Sequence, residues 1–406
     1  MSALFAGTTI LEFGGGAAGP IATRYFADHG ATVIRVESRR RPDFLRILRL
    51  TPTTPGGLDG SAHFAVLNVN KLSVALDLSR PEGVAVARRL ALAADAVAEN
   101  FAPGAMARWG LDYGSLVRDR PDLVMISTCL NGQTGPHRHY PGFGGQGSAL
   151  AGFNHLTGWP DREPVGPFGT ITDSLSPRYA ALLLGAALLH RRRTGEGQHI
   201  DLSQVEAGIV CLAESILTYT ANGEILTRMG NRSRHAAPHG VFRCADEAGR
   251  DRWVAVAVHD DEDWQRLVDV LGRPAWAVEP ALATAAGRQE RVGEVEARLE
   301  EWTRTETAAH VASRLQGAGI DAAPVEDFGD LHDDPQLAHR RHFRTVEHGV
   351  LGSHPAETHA IRFSAMEPQL DAPAPRLGEH TEYVLRELLG MGAEEIDRLR
   401  AAAVLE

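Results

Sequence analysis

Three sets of residues in this chain have the types and spacing to do chemistry. Gly14-Gly15-Gly16-Ala17-Ala18-Gly19 has the form GxGxxG, follows an apolar run and precedes Pro20, and Glu37 closes the next apolar run. Such a turn lets a ligand approach the backbone, and a helix N-terminus favours its anionic groups. An acidic residue at the end of the second strand can then hold a ribose, as in nicotinamide and flavin enzymes. The same residues also make a tight strand-to-helix turn with no ligand. Asp173, in Thr170-Ile171-Thr172-Asp173-Ser174, stands just ahead of an apolar helical segment. From its surroundings alone it reads as an N-cap; as chemistry it is a carboxylate nucleophile. Arg39-Arg40-Arg41 follows the second apolar run, where guanidinium groups can take phosphates or stay solvated.

The elements around these residues define the fold class. Thr8 to Phe13, Thr32 to Val36, Ser73 to Leu78, Asp95 to Ala98 and Leu123 to Ser127 read as short strands. Helical segments with an early proline, Pro20 to Asp28 and Pro81 to Ala94, alternate with them. The alternation predicts an α/β chain: a parallel sheet covered on both faces, with ligands at the carboxyl ends of its strands. From Asn131 to Asp173 the chain is rich in Gly, Pro and polar residues without a sustained period, a length that points to function. Helices are expected after Pro177 and from Val205 to Ala221. Gly240 to Cys244 and Trp253 to Val258 read as paired strands, followed by helices at Glu262 to Leu271 and across Glu290 to Gln316. The predicted organisation is a large Rossmann-like domain of residues 1–221, completed by 331–406, with a smaller α/β domain of residues 222–330 between them. The last helical segment, Thr381 to Leu389, is expected to return to the first domain, so that both chain ends form the parallel sheet.

Composition narrows the function. The net charge of -11 argues against a general binder of nucleic acid or anionic membrane, yet leaves room for a local positive pocket. Cys129, Cys211 and Cys244 are far apart, with no CxxC pair and no Cys/His cluster. They read as packing residues, and no metal is expected. No segment has the ~18 uninterrupted apolar residues of a membrane span. No secretory leader is visible, and the cytoplasm is the default location.

Six blocks, in order along nearly the whole chain, resemble the class III CoA-transferases, the family that includes formyl-CoA transferase, carnitine CoA-transferase and α-methylacyl-CoA racemase. They are Ala18-Gly19-Pro20 with Phe26 to Glu37; Asn68 to Ser73 with Leu76-Asp77-Leu78 and Pro81-Glu82-Gly83; Glu99 to Gly104 with Arg108; Asp173 with Arg193 to Gln198; Gly319 to Val325 with Asp334-Pro335; and Leu377 to Thr381. The resemblance implies coenzyme A and acyl-CoA as substrates, no metal, and a dimer whose two subunits interlock. It implies that Asp173 attacks the acyl-CoA thioester to give a mixed anhydride, which CoA converts to an aspartyl-CoA thioester. Gly16, Ala17, Lys71, Asn100, Phe101 and Arg108 are the implied CoA contacts, with Arg39 chosen from its triplet for phosphate. Tyr140, Phe143 and Gly144 are the implied substrate-side residues. Backbone N–H groups near Gly16, Ala17 and Gly144-Gly145 are candidate oxyanion donors.

This chain also departs from the family pattern. Ser38 stands where relatives often have arginine. Phe143 falls where the racemase branch needs a histidine base, and Gly144 where relatives usually have an acid. His139, nearby, reads as a loop residue. Gly230 to His235 replaces the glycine run of the formyl-CoA enzymes, which disfavours formate and oxalate. A dicarboxylic or aryl acid is the expected acceptor. A partner of related but different sequence is an alternative to a homodimer. Three other functions stay open at this level: a racemase, a nicotinamide-dependent oxidoreductase, and a non-catalytic partner subunit.

Overall fold

The computed structural model describes residues 3–167, 170–370 and 372–406. Two compact units emerge: Met1–Asn154, Gly166–Leu226 and Gln336–Glu406 form the first, and His155–Val165 with Thr227–Pro335 the second.

The first unit begins with β1 (Thr9–Phe13), α1 (Ala18–Ala27), β2 (Thr32–Glu37), β3 (Leu72–Ala75), α2 (Pro81–Ala93), β4 (Ala96–Glu99) and β5 (Val124–Cys129). It continues with α3 (Gly144–Ala151), α4 (Ile171–Thr194), β6 (Gln198–Ser203), α5 (Gln204–Val210) and α6 (Ala213–Asn222). The six strands pair in parallel in the order β3-β2-β1-β4-β5-β6. Because side chains alternate across a strand, the sheet has two apolar faces. Ile10, Val33 and Ile126 pack with Phe26 of α1 and Leu184 of α4. Leu11, Ile34 and Met125 pack with Val86 and Leu90 of α2 on the other side.

The second unit holds β7 (His239–Arg243) and β8 (Trp253–Ala257), then α7 (Asp261–Val270), α8 (Val292–Thr303), α9 (Ala308–Gly317) and β9 (Asp321–Pro324). The strands form an antiparallel sheet in the order β7-β8-β9, and Val254, Trp264, Leu299 and Val311 join one core. The chain then returns to the first unit as the hairpin β10 (Phe343–His348) and β11 (Gly352–Glu357) and ends with α10 (Ala393–Ala401).

Four expectations need correction. The parallel sheet comes wholly from residues 9–203; the C-terminal end contributes Val384, Leu385, Ile396 and Leu399 to the core and one bridge, Leu76 to Leu405. The long loop contains α3, whose sequence GGQGSALA hides it because glycine is a poor helix former. β6 went unseen because its QHIDLS is mostly exposed and carries no apolar alternation. The single helix expected at Val205 to Ala221 is two, broken at Cys211-Leu212.

Candidate active site

The strand order reverses between β1 and β4, which leaves a crevice beyond their carboxyl ends. There the loops after β1 to β5 enclose a cavity of about 960 Å³. Its floor is the glycine turn. Asn100 holds that turn from both sides: its Nδ2 donates to Gly15 O at 2.7 Å, and the Gly15 N–H donates back to Oδ1 at 3.1 Å. Gly14, at φ +116°, could not be another residue, because a Cβ there would lie 1.8 Å from Asn100 Oδ1. The Gly16 N–H donates to both oxygens of Asp43, at 3.0 and 3.2 Å, and Asp43 is further paired with Arg35. Arg35 in turn donates to Gly14 O at 3.0 Å.

The protein's own carboxylate thus takes the place a pyrophosphate would need at Gly16. Glu37 is occupied as well: Arg46 donates to its two oxygens at 2.8 and 2.9 Å, and Ser73 donates to Oε2 at 2.7 Å. The Gly16 and Glu37 contacts of a nicotinamide site are already filled from within.

Asp173 also lines this cavity. It sits inside the first turn of α4 rather than ahead of it, so the N-cap position belongs to Thr170. Pro177, inside the same helix, has no N–H to offer the Asp173 carbonyl. The carboxylate is held by one donor on each oxygen. Gly144 N–H donates to Oδ2 at 3.2 Å and Gln204 Nε2 donates to Oδ1 at 3.1 Å. Asp173 forms no ion pair with Lys or Arg among the described residues, so no cation quenches its nucleophilicity.

Several cations line the same cavity. Arg41 and Arg108 are exposed and have no carboxylate partner among the described residues. Arg138 donates to His139 at 2.9 Å, and Arg40 is shared between Asp77 at 3.1 Å and Glu406 at 3.3 Å. Such a rim suits a polyanion.

Residues 5–381 match the model of CoA-transferase family III. The chain belongs to that family. It is 33% identical over 405 residues to the succinyl-CoA–D-citramalate CoA-transferase of Chloroflexus aurantiacus, covering 98% of this chain and 96% of that protein. It is 32% identical over 403 residues to the succinyl-CoA–L-malate CoA-transferase beta subunit of the same organism, covering 98% of each. The crystal structure of a CaiB/BaiF family protein from Brucella suis superposes with a TM-score of 0.86 at 30% identity, over 96% of this chain and 100% of that one. The fold is therefore the CaiB/BaiF fold, and the chain is a CoA-transferase whose substrates include CoA and acyl-CoA.

Most of the transferase residues expected from sequence meet at this cavity: Gly16, Ala17, Asn100, Phe101, Arg108, Tyr140, Phe143 and Asp173 all line it. Phe143 packs tilted against Phe44, ring centres 5.1 Å apart, and Tyr140 against His137 at 4.4 Å. Gly144 touches Asp173 directly.

Two of the expected CoA contacts do not line the cavity. Lys71 is buried, and its Nζ donates to Glu12, Pro20 O and Asn68 at 2.8, 2.9 and 3.0 Å. It balances Glu12, whose pKa burial would raise but Lys71 and Arg35 hold down at about 2. Arg39 turns away to donate to Leu377 O at 3.2 Å, leaving Arg40 and Arg41 on the cavity wall. The Gly16 N–H is no longer a candidate oxyanion donor, since Asp43 holds it.

Two residues escaped the sequence. Gln204 has no motif around it, and only folding brings it to Asp173. Glu99 was visible only as part of a block. Its buried carboxyl accepts from Phe101 N at 2.8 Å and Gln133 Nε2 at 3.3 Å, and burial pushes its pKa up to about 7.

Proposed function

We propose that this enzyme moves CoA from an acyl-CoA, with succinyl-CoA the first donor to try, to a dicarboxylic acid, and that Asp173 is the group through which it passes. One observation carries the reading: the Asp173 carboxylate lies on the wall of the cavity with a neutral donor on each oxygen and no ion pair to Lys or Arg among the described residues. A carboxylate so placed attacks the thioester carbonyl carbon, the C–S bond breaks, and CoA leaves as the thiolate. The thiolate then attacks Asp173 Cγ in the mixed anhydride and expels the donor acid as its carboxylate. The acceptor acid reverses both steps and leaves as the new thioester. Each thioester broken is replaced by another, so the reaction is near thermoneutral, and holding the partners together provides much of the rate.

Arg41 and Arg108, free at the rim, are the proposed phosphate contacts, with Asn100 and Phe101 beside the pantetheine arm. The acid class rests on relatives named for citramalate and malate. A second subunit, of the same or related sequence, is part of the proposal. In its support, α6 buries none of its residues and exposes Ile216, Leu217 and Tyr219, and Leu182 of α4 is 69% exposed. Such a surface suits a lasting interface.

The test is a mass-spectrometric screen of succinyl-CoA and other acyl-CoA donors against citramalate, malate and aryl acids, with wild type and Asp173→Ala. Transfer to dicarboxylates by wild type alone is the expected result. Turnover by a folded Asp173→Ala protein would refute the assignment.

A further inference from the structure

Asp173 has two tasks in the proposed cycle: its oxygen attacks, and later its Cγ is attacked. The second task needs a donor on whichever carboxylate oxygen is not bridging to the acyl group, because that oxygen takes the negative charge as Cγ becomes tetrahedral. We propose that Gln204 is a catalytic residue of this transferase, its side-chain amide and the Gly144 N–H forming a two-donor clamp on the Asp173 carboxylate. The inference rests on Asp173 being the acyl carrier.

Both jaws of the clamp are fixed before substrate arrives. Gln204 is 6% exposed and begins α5 at the end of β6. Its neighbours anchor it: Val205 N–H donates to Leu130 O at 3.0 Å, and Ser203 Oγ accepts from Glu206 N at 3.2 Å. The peptide that carries the Gly144 N–H is fixed through the Phe143 carbonyl, which accepts from Gly147 N at 3.0 Å, and the Gly144 carbonyl accepts from Ser148 Oγ at 2.7 Å and from Thr172 Oγ1 at 3.0 Å. Thr172 is the residue before Asp173, so one hydroxyl ties a donor of the clamp to the helix that presents the carboxylate. Acylation of either oxygen removes that oxygen as a good acceptor and leaves the other one still bonded. CoA sulfur then forms its bond to Cγ, the charge rests on the bonded oxygen, and collapse breaks the Cγ–O bond to the departing acid. No proton has to move.

A clamp of this kind predicts a loss in kcat with little change in KM. Gln204→Met keeps the length and burial of the side chain and removes the donor; kcat is expected to fall about 100-fold, the usual range for one oxyanion donor, while CoA binding measured by calorimetry is retained. Gln204→Glu adds a second readout. Its ionised carboxyl repels Asp173, and its protonated form can donate, so its activity relative to wild type should rise as pH falls. Activity of Gln204→Met near the wild-type level, or a Gln204→Glu ratio that does not move with pH, overturns the proposal. Formation of the aspartyl-CoA adduct in wild type, followed by mass spectrometry, separates the two claims. No adduct in wild type refutes Asp173 as carrier, whereas a normal adduct in wild type and equally fast adduct formation in Gln204→Met refutes the clamp alone.

Discussion

Gly144 and Asp173 fit together only because residue 144 has no side chain: a Cβ there would stand 2.4 Å from Asp173 Oδ2 and 2.6 Å from Thr170 Cβ. The carboxylate occupies that space and takes the Gly144 N–H at 3.2 Å. Gly144→Ala should therefore displace the carboxylate from its donor. The expected loss in kcat is about 100-fold, with stability lowered by about 1–3 kcal/mol from overpacking. Steady-state kinetics beside a thermal melt checks both. Unchanged kcat would mean that the carboxylate does not work from this position.

Lys71 belongs to the core rather than to the ligand. Lys71→Met leaves Glu12 buried with Arg35 as its remaining cation. Breaking a buried pair from one side costs about 3–5 kcal/mol. Chemical denaturation should show that loss, and the KM for acyl-CoA should change less than in the Arg108 variant.

Arg41 and Arg108 should behave in the opposite way. Both line the cavity and neither has a carboxylate partner among the described residues. Replacing either by alanine is expected to raise the KM for acyl-CoA about tenfold, as loss of a charge-assisted contact does, with little effect on stability. The KM of wild type should also rise with ionic strength more steeply than that of either variant.

Glu99 gives a pH signature. Burial raises its pKa to about 7, above the value of an exposed carboxyl. The folded state then binds the proton more tightly than the unfolded state, so the contribution to stability is complete below the unfolded pKa and declines as pH rises through about 7. Compared with Glu99→Gln, wild type should lose up to roughly 3 kcal/mol between pH 4.5 and pH 8. Parallel melting curves for the two proteins across that range would contradict this assignment.

Residues with a local signal were readable in the sequence. The β-branched runs, the early prolines and the glycine turn located β1, α1 and β2, and the resemblance brought Asp173, Asn100 and Arg108 to one cavity. What stayed hidden depended on long-range contact. Lys71 and Arg108 look alike as cations in matched blocks, and only burial separates a counter-ion of Glu12 from a free guanidinium. Arg39 and Arg41 differ only in which way the chain turns after β2. Gln204 lies at the end of an edge strand with no apolar alternation, and its meeting with Asp173 required both β6 and α4 to be placed. The dinucleotide motif shows the converse: its pattern was complete, but the contacts at Gly16 and Glu37 were already filled by Asp43 and Arg46.

The most direct test of Asp173 as carrier follows its oxygen atoms. In the proposed cycle each acceptor carboxylate leaves one oxygen on the aspartate. Turnover with an acceptor acid labelled with oxygen-18 in its carboxylate, followed by proteolysis and mass spectrometry, should show label entering the peptide that contains Asp173. The label should increase with cycles and be absent without acyl-CoA. Many turnovers with that peptide unlabelled would contradict the account.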